Sequence, residues 1–382
     1  MDERLIPIIV EPNYITPFWF AQTIQGLNDF ASKQKTAVQQ LASISDIPGQ
    51  APAVVIIGTN RTWIQERIDE ARQARLKVIL IGAVPSKYGE DISGTMYGGH
   101  AVMSEMVRYF AQHGRQHIAL LDINTNSSND VTKYEAFLSA ASSLGLDCSN
   151  SDVYLKGIDS KNPSEAFFAR IREYDGVICS NDYVGAFVLS YAQEHGIKVP
   201  QQLYVAGLGD IMLCRYTSPS LTSATRSYYE TGEQVFSTWK TISQNPDVVS
   251  IVTTMRSIIK PRGSTAFMPV LDEADKTAAP APQASIQVKP MVAERINEIR
   301  SIQDCLSQCD AIDMKIIDGV LKLKSIEQIA ESSNSALGTI NYRLKKLYRN
   351  AGVQNKTYFY NLFKQYISFE MLNKDAFQAI KN

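Results

Sequence analysis

The chain has 382 residues, of which 45% are hydrophobic, and a formal net charge of −1. This length accommodates two or three domains with buried cores, and the balanced charge excludes a uniformly basic surface for nucleic acid. The five cysteines are scattered and no run of about 18 apolar residues occurs, so we expect a reducing, cytoplasmic setting with neither a disulfide framework nor a membrane span.

Residues 5–265 alternate short apolar, β-branched runs with longer amphipathic runs. The apolar runs predict buried parallel strands at residues 5–10, 54–58, 78–82, 118–122, 176–180 and 203–207. The amphipathic runs predict helices at residues 18–32, 62–73, 101–112, 132–144, 165–172 and 184–194. This alternation is typical of an α/β fold built from right-handed βαβ units, with helices on both faces of an open parallel sheet.

Ligands of such sheets bind beyond the carboxyl ends of the strands. The candidate ligand-binding residues are therefore polar or aromatic side chains that follow the predicted strands: Tyr14, Phe18, Trp19, Asn60, Asn181 and Asp210. Phe18 and Trp19 can stack on the apolar face of a sugar ring, and they can equally be core aromatics.

The composition changes after the predicted sensor domain, residues 1–270. Residues 271–290 are rich in alanine and proline and predict a linker. Val292, Ile296, Ile299 and Leu306 then fit a heptad seam with one polar step, Gln303. We expect a connecting helix at residues 291–309, which either joins two subunits as a short coiled coil or packs against the domain that follows.

Residues 310–382 predict a compact all-helical domain that contains a helix-turn-helix. The first helix places three apolar residues on one face and the second does the same at three- and four-residue spacing, so the two stripes can bury each other. These stripes consist of Ile326, Ile329 and Ala330, and of Ile340, Leu344 and Leu347. The polar residues 332–335 are the predicted turn.

The second helix carries a face without acidic residues. Its predicted exposed positions are Asn341, Tyr342, Arg343, Lys345, Lys346 and Arg349. From Asp310 to the end, 11 lysines and arginines stand against 7 acidic residues, so the basic charge is concentrated here. Such a face suits phosphates and base edges.

Three segments carry a resemblance to a known family. Residues 176–186 read GVICSNDYVGA, residues 195–211 read HGIKVPQQLYVAGLGDI and residues 216–222 read YTSPSLT. They resemble the effector-binding domain of the LacI/GalR repressors, which shares the fold of type I periplasmic sugar-binding proteins. The resemblance covers residues 5–265 and implies a two-lobed sensor that binds a small molecule in the cleft between its lobes. No DNA-reading headpiece precedes the first strand, so we expect the C-terminal segment to take that role.

The resemblance also assigns ligand contacts. Asn181 stands where the family contacts a ligand hydroxyl, although Asn181 and Asp182 can instead cap the next helix. Lys133 stands where the family has an arginine. The lysine keeps the positive charge but cannot form the two parallel hydrogen bonds of a guanidinium group. The family often has a pair of aspartates after the strand that begins at Leu203. Here the first position of that pair is Gly209, so only Asp210 remains. With fewer charged anchors, the cleft is expected to take a less hydroxylated ligand or to have lost ligand binding.

The C-terminal segment resembles a LuxR/NarL-type helix-turn-helix through Thr339-Ile340 and the sequence GVQNKT at residues 352–357. This resemblance implies major-groove contacts from Asn341, Tyr342 and Lys345, and phosphate contacts from Thr339, Lys346 and Lys356. Residues 358–366 instead resemble the second half of an AraC-type domain, so both ancestries stay open.

The sequence contains no catalytic, phosphate-loop or metal-ligand motif, so we expect no enzyme, cofactor or metal. We predict a cytoplasmic transcription regulator that acts as a homodimer, with double-stranded DNA and a small-molecule effector, expected to be a sugar, as its partners. The alternative is a solute-binding or sensory module whose C-terminal helices bind another protein.

Overall fold

A computed structural model describes residues 5–12, 18–49, 51–156, 163–266 and 289–367. Almost all of the predicted linker and residues 368–382 of the predicted C-terminal domain lie outside these ranges.

The strands form two separate sheets. They are β1 (Leu5–Val10), β2 (Ala37–Leu41), β3 (Ala53–Ile57), β4 (Lys77–Ile81), β5 (Ile92–Tyr97), β6 (Ile118–Ile123), β7 (Val153–Leu155), β8 (Gly176–Cys179), β9 (Tyr204–Leu208), β10 (Thr222–Thr225), β11 (Val252–Met255) and β12 (Ile258–Lys260). The first sheet has the order β11-β5-β4-β3-β1-β2 and the second the order β12-β10-β9-β8-β6-β7. The neighbours within the first sheet are parallel, as are β6, β8, β9 and β10 in the second.

The six predicted strands are present, each within one residue of its predicted ends. They are the apolar central strands, and β3 is buried along its whole length. The sequence reading missed β2, β5, β7, β10, β11 and β12. The edge strand β2, with the sequence AVQQL, is partly exposed and lacks a continuous apolar run. Strands β5 (ISGTMY) and β10 (TSAT) lie inside their sheets, but their small and polar residues interrupt the apolar pattern.

The helices of this region are α1 (Phe18–Lys33), α2 (Arg61–Gln73), α3 (Gly99–Gln112), α4 (Ser128–Ser143), α5 (Pro163–Arg170), α6 (Asp182–Glu194) and α7 (Tyr228–Gln244). The sequence predicted the first six and missed α7. Helices α1 and α7 approach so closely that a Cβ at Gly26 or Gly232 would overlap the backbone of the other helix. Gly232 lies in the interior of α7 and weakens its helical pattern, so α7 depends on this packing.

The described residues cluster into two compact units. The first unit contains the first sheet with α1, α2, α4 and α7. The second contains the second sheet with α5 and α6, and it also includes all of the C-terminal helices. The predicted domain boundary near residue 270 is therefore not a boundary between the two compact units, because the second unit contains residues from both sides of it.

The C-terminal helices are α8 (Lys289–Ser307), α9 (Ala311–Leu321), α10 (Ile326–Ser333), α11 (Leu337–Asn350) and α12 (Lys356–Tyr366). Their apolar side chains form one continuous core with those of the second sheet and α6. Val292, Ile299 and Leu306 are buried in this core and Ile296 packs against it. Of the two alternatives for this helix, the structure favours packing within the chain, because the apolar side chains of the seam are already buried there.

Candidate functional sites

The first helix of the predicted helix-turn-helix, α10, begins with a capping box. Ser325 Oγ accepts a hydrogen bond from the Gln328 backbone N–H at 3.2 Å, and Gln328 Oε1 accepts one from the Ser325 N–H at 2.8 Å. These two bonds satisfy N–H groups that have no partner within the helix. Helix α10 continues to Ser333, and Asn334 ends it with a left-handed φ of 51°. The predicted turn at 332–335 was therefore placed too early, since only residues 334–336 separate the two helices.

The predicted stripes of α10 and α11 do face the interior. Ile329, Ile340, Leu344 and Leu347 are buried, and Ala330 is 6% exposed. Ile326 is only partly buried at the edge of the core. This packing fixes the rotation of α11 about its axis, and it thereby fixes which side chains the helix presents to solvent.

The opposite side of α11 is exposed. Thr339, Asn341, Lys345, Lys346 and Arg349 are exposed, and Tyr342 is 72% exposed. Within the part of the chain that the structure describes, none of the three cations forms an ion pair. We call these six residues the α11 face. It carries three positive charges and no acidic residue, together with an amide, a hydroxyl and a phenol that can reach base edges.

Two other candidate DNA-contacting residues are engaged inside the chain. Arg343 lies 2.8 Å from both Asp310 and Asp313, and its side chain is only 22% exposed. Lys356 donates to the Lys324 carbonyl at 2.7 Å. These bonds give Arg343 and Lys356 a structural role in the described conformation, so the α11 face has fewer available cations than the sequence predicts.

In the first unit, the candidate ligand-binding residues also have internal partners. Asn60 caps α2, since its Oδ1 accepts from the Trp63 N–H at 3.0 Å. Lys133 Nζ lies 2.8 Å from Asp130 Oδ1, and both side chains are largely buried. Trp19 is half-buried and packs edge-on against Phe20. Tyr14 lies outside the described residues, and Phe18 is placed only as the first residue of α1.

In the second unit, Asn181 acts as the cap of α6. Its Oδ1 accepts from the Val184 N–H at 3.1 Å, and its Nδ2 donates to Ser180 Oγ at 3.0 Å. The capping interpretation is therefore seen directly, while a ligand contact of the same amide stays a prediction.

Asp210 follows β9 with a left-handed φ of 54°. Its carboxylate pairs with Lys260 Nζ at 2.9 Å and with the Arg262 guanidinium. Sequence reasoning missed both partners, which lie 50 and 52 residues after Asp210 in the chain. The acid expected to contact a ligand is thus neutralised by two cations from the same unit.

Asp182, the first residue of α6, is the most buried carboxylate at this end of the second sheet. Its Oδ1 accepts from Ser223 Oγ at 2.5 Å and its Oδ2 accepts from the Ile211 N–H at 3.0 Å. Burial raises the pKa of Asp182 to about 6, while the two hydrogen bonds act in the opposite direction. The pKa of Asp182 therefore lies only a little below neutral pH. Mild acidification protonates this carboxyl, which binds the loop after β9.

Among the described residues, no group of three histidine, cysteine, aspartate or glutamate side chains is placed to hold a metal ion. Within the same residues, no helix has the length and apolar character needed to cross a membrane.

Comparison with known proteins places these sites in a family context. Residues 107–265 match the model of a periplasmic binding protein-like domain. The chain is 27% identical over 124 residues to the HTH-type transcriptional repressor PurR of Pasteurella multocida and 29% identical over 119 residues to the HTH-type transcriptional regulator GalS of Salmonella typhimurium. The matches cover 31% and 30% of this chain, and the chain spans only 37% and 35% of the length of these relatives. Both relatives are transcription regulators and not enzymes.

Among solved structures, the chain resembles the transcriptional regulator CelR in complex with cellobiose. The TM-score is 0.60 at 14% identity, over 68% of this chain and 84% of that one. Sheet order, helix placement and this likeness establish a type I periplasmic-binding-protein-like fold, followed by a helical C-terminal region. The predicted fold class is confirmed.

Proposed function

We propose that this protein is a ligand-responsive transcription regulator that binds double-stranded DNA through the α11 face. The exposed cations of that face, on the second helix of a helix-turn-helix, are the observation that carries the proposal. The PurR and GalS relatives are named as a transcriptional repressor and a transcriptional regulator, which supports a regulatory role for this chain.

The chemistry of the α11 face fits duplex DNA better than an apolar partner surface. Lys345, Lys346 and Arg349 lie at three- and four-residue spacing or next to one another, so their charges fall on one side of the helix. Phosphate contacts of this kind supply most of the affinity, and Asn341 and Tyr342 supply groups for reading bases. Asn341 is suited to adenine, which its amide can contact with two hydrogen bonds.

The test is a gel shift on duplexes selected from a random library, measured from low to high salt. Lys345→Ala combined with Lys346→Ala removes the major-groove contact of Lys345 and the phosphate contact of Lys346. We expect binding to weaken roughly tenfold or more, and the slope of log K against log salt to become less negative by at least about 1. The matched control is Lys198→Ala with Lys240→Ala, which removes the same charge at two exposed positions on the α/β units. It should bind like the wild type.

Equal losses in both double variants would refute the assignment of the α11 face. Failure of the wild type to bind any duplex would favour the alternative, in which the C-terminal helices contact a protein. The control for folding is an unchanged thermal transition, since all four lysines are exposed and contribute little to stability.

The effector is proposed to be a sugar. Its candidate contacts are Asn181 and Asp210 in the second unit, and Trp19, Asn60 and Lys133 in the first, each described within its own unit. CelR shares the fold, and its solved structure is a complex with cellobiose. A panel of mono- and oligosaccharides, cellobiose included, should contain a member that stabilises the protein. Ligand at 100 times its Kd adds about 2.7 kcal/mol, which raises Tm by several degrees. No stabilisation by any sugar would exclude this class of effector.

Homodimerisation is also proposed, because two-fold symmetric regulators read two half-sites about one helical turn apart. The buried seam of α8 means that such a dimer needs a surface other than that seam.

A further inference from the structure

Gln303 is a polar residue in an otherwise apolar face of α8, and the structure gives it a specific partner. The residue is 1% exposed. Its Oε1 accepts a hydrogen bond from the Leu213 backbone N–H at 2.8 Å, and its Nε2 has no hydrogen-bond partner among the described residues. A buried amide is costly unless it is hydrogen-bonded, so an apolar residue would be the simpler choice for packing alone. Gln303 therefore marks a directed contact between α8 and the short helical turn Met212–Arg215.

This turn is continuous with the candidate effector residues. It starts two residues after Asp210, whose backbone N–H donates to Ser223 Oγ at 3.0 Å. The next N–H, that of Ile211, donates to Asp182 Oδ2, and Ser223 Oγ donates to the other oxygen of the same carboxylate. The loop after β9, the first residue of α6 and the turn are thus joined by hydrogen bonds, and a displacement of Asp210 displaces the turn.

On its other side α8 contacts the helix that carries the α11 face. Cys305, two residues after Gln303, is buried, and its Sγ donates to the Leu347 carbonyl at 3.7 Å. Leu306 and Leu347 lie in the same core cluster. Helix α8 therefore lies between the turn and α11, with one buried contact to each within three residues.

The far end of α8 is fixed more firmly. Arg295 is 7% exposed and binds both carboxylate oxygens of Glu194 on α6, and it also donates to Ser190 Oγ and to the Tyr366 hydroxyl. This set of charge-assisted bonds holds one end of α8 in place. A shift of the turn is then expressed at the other end, near Gln303 and Cys305.

We propose that α8 transmits the state of the effector site to the α11 face, with Gln303 as the positioning residue that couples the Met212–Arg215 turn to the helix. This inference rests on the proposed function, and it names how the same DNA-binding face is regulated. Both sites then bias one element, so ligand and DNA affinities change each other by the same factor.

The test uses hydrogen–deuterium exchange of the full chain without DNA or effector. Asp210→Asn weakens the pairing with Lys260 and Arg262 and loosens the loop. We expect exchange to become at least about threefold faster both at residues 211–215 and in α11, because coupled segments open together. In the Gln303→Met background, which removes the acceptor and keeps the length of the side chain, the effect of Asp210→Asn on α11 should disappear. The matched control background is Asn297→Ala, an exposed position on α8, in which the effect should persist.

Unchanged exchange in α11 on Asp210→Asn would overturn the proposal, as would an effect that survives undiminished in Gln303→Met. Lys260→Ala, at a 46% exposed side chain, is the second perturbation should Asp210→Asn fail to fold, with a smaller effect of the same pattern expected. The measurement involves no DNA, so a chain that binds no duplex yet transmits the change to α11 refutes the proposed function while supporting the coupling.

Discussion

The candidate effector residues and the α11 face differ in how their polar groups are satisfied. At the carboxyl ends of the strands, Lys133 and Asp210 have ion-pair partners within their own units and Asn181 caps a helix. On α11, Lys345 and Lys346 are exposed and, among the described residues, form no ion pair. The first set of charges is held in place by the protein itself, whereas the second set is positioned to neutralise charges from outside. Within each set, individual substitutions can separate structural from binding roles.

The largest expected effect on stability is at Arg295, the most internally bonded cation of the C-terminal helices. Arg295→Ala leaves Glu194 and the Tyr366 hydroxyl without their partner and removes a buried side chain. Glu194 is 42% exposed, which reduces the penalty. We expect the free energy of unfolding to fall by about 2–3 kcal/mol, as measured by urea denaturation.

Arg349→Ala is the matched control, since Arg349 is an exposed arginine of the α11 face. Its change should stay within about 0.5 kcal/mol. Equal destabilisation by both variants would mean that Arg295 has no special role in joining α8 to α6 and α12.

The next effect is a pH dependence at Asp182. Its pKa is raised to about 6 in the folded state, above the ordinary value of 3.8. The folded state therefore binds this proton more tightly than the unfolded chain, and the contribution of Asp182 to the free energy of unfolding decreases as pH rises through roughly 4 to 6. Asp182→Asn removes that term. The stability of the variant relative to wild type should rise by about 2 kcal/mol between pH 4.5 and pH 7.5.

This change is read from paired urea titrations at the two pH values. Asp46→Asn, at an exposed 3-10 turn of the first unit, is the control that leaves the buried carboxyl in place. A relative stability of the Asp182 variant that is flat with pH would show that the carboxyl is not destabilised by burial.

The smallest effect separates two arginines of the same helix. Arg343→Ala leaves Asp313, whose side chain is 1% exposed, without its cation, and we expect a loss of about 1–2 kcal/mol. Arg349→Ala should instead leave stability unchanged and weaken DNA binding. If both substitutions weakened DNA binding equally without loss of stability, Arg343 would belong to the α11 face despite its ion pairs.

Much of the fold could be predicted because its signals are local. The six central strands appear as short apolar runs, and the burial of Ile340, Leu344 and Leu347 follows from their spacing. Helix α7, the edge strands and the interior strands β5 and β10 could not be predicted in the same way, because their local pattern is weak and their packing partners are distant in sequence. For the candidate sites, the sequence named residues but not the partners that the structure gives them, such as Lys260 and Arg262 for Asp210.

The sequence by itself determined an α/β architecture, a helical C-terminal region and the basic character of helix α11. Hydrophobic periodicity and charge distribution are properties of residues close together in the chain, so they can be read from the sequence alone. Only the tertiary structure decided that Arg343 pairs with Asp310, 33 residues away, that Asp210 pairs with Arg262, 52 residues away, and that the heptad seam with Gln303 packs inside the chain. Ion pairs and core contacts depend on which distant segments of the chain come together in the folded protein, and the spacing of residues in the sequence does not specify this.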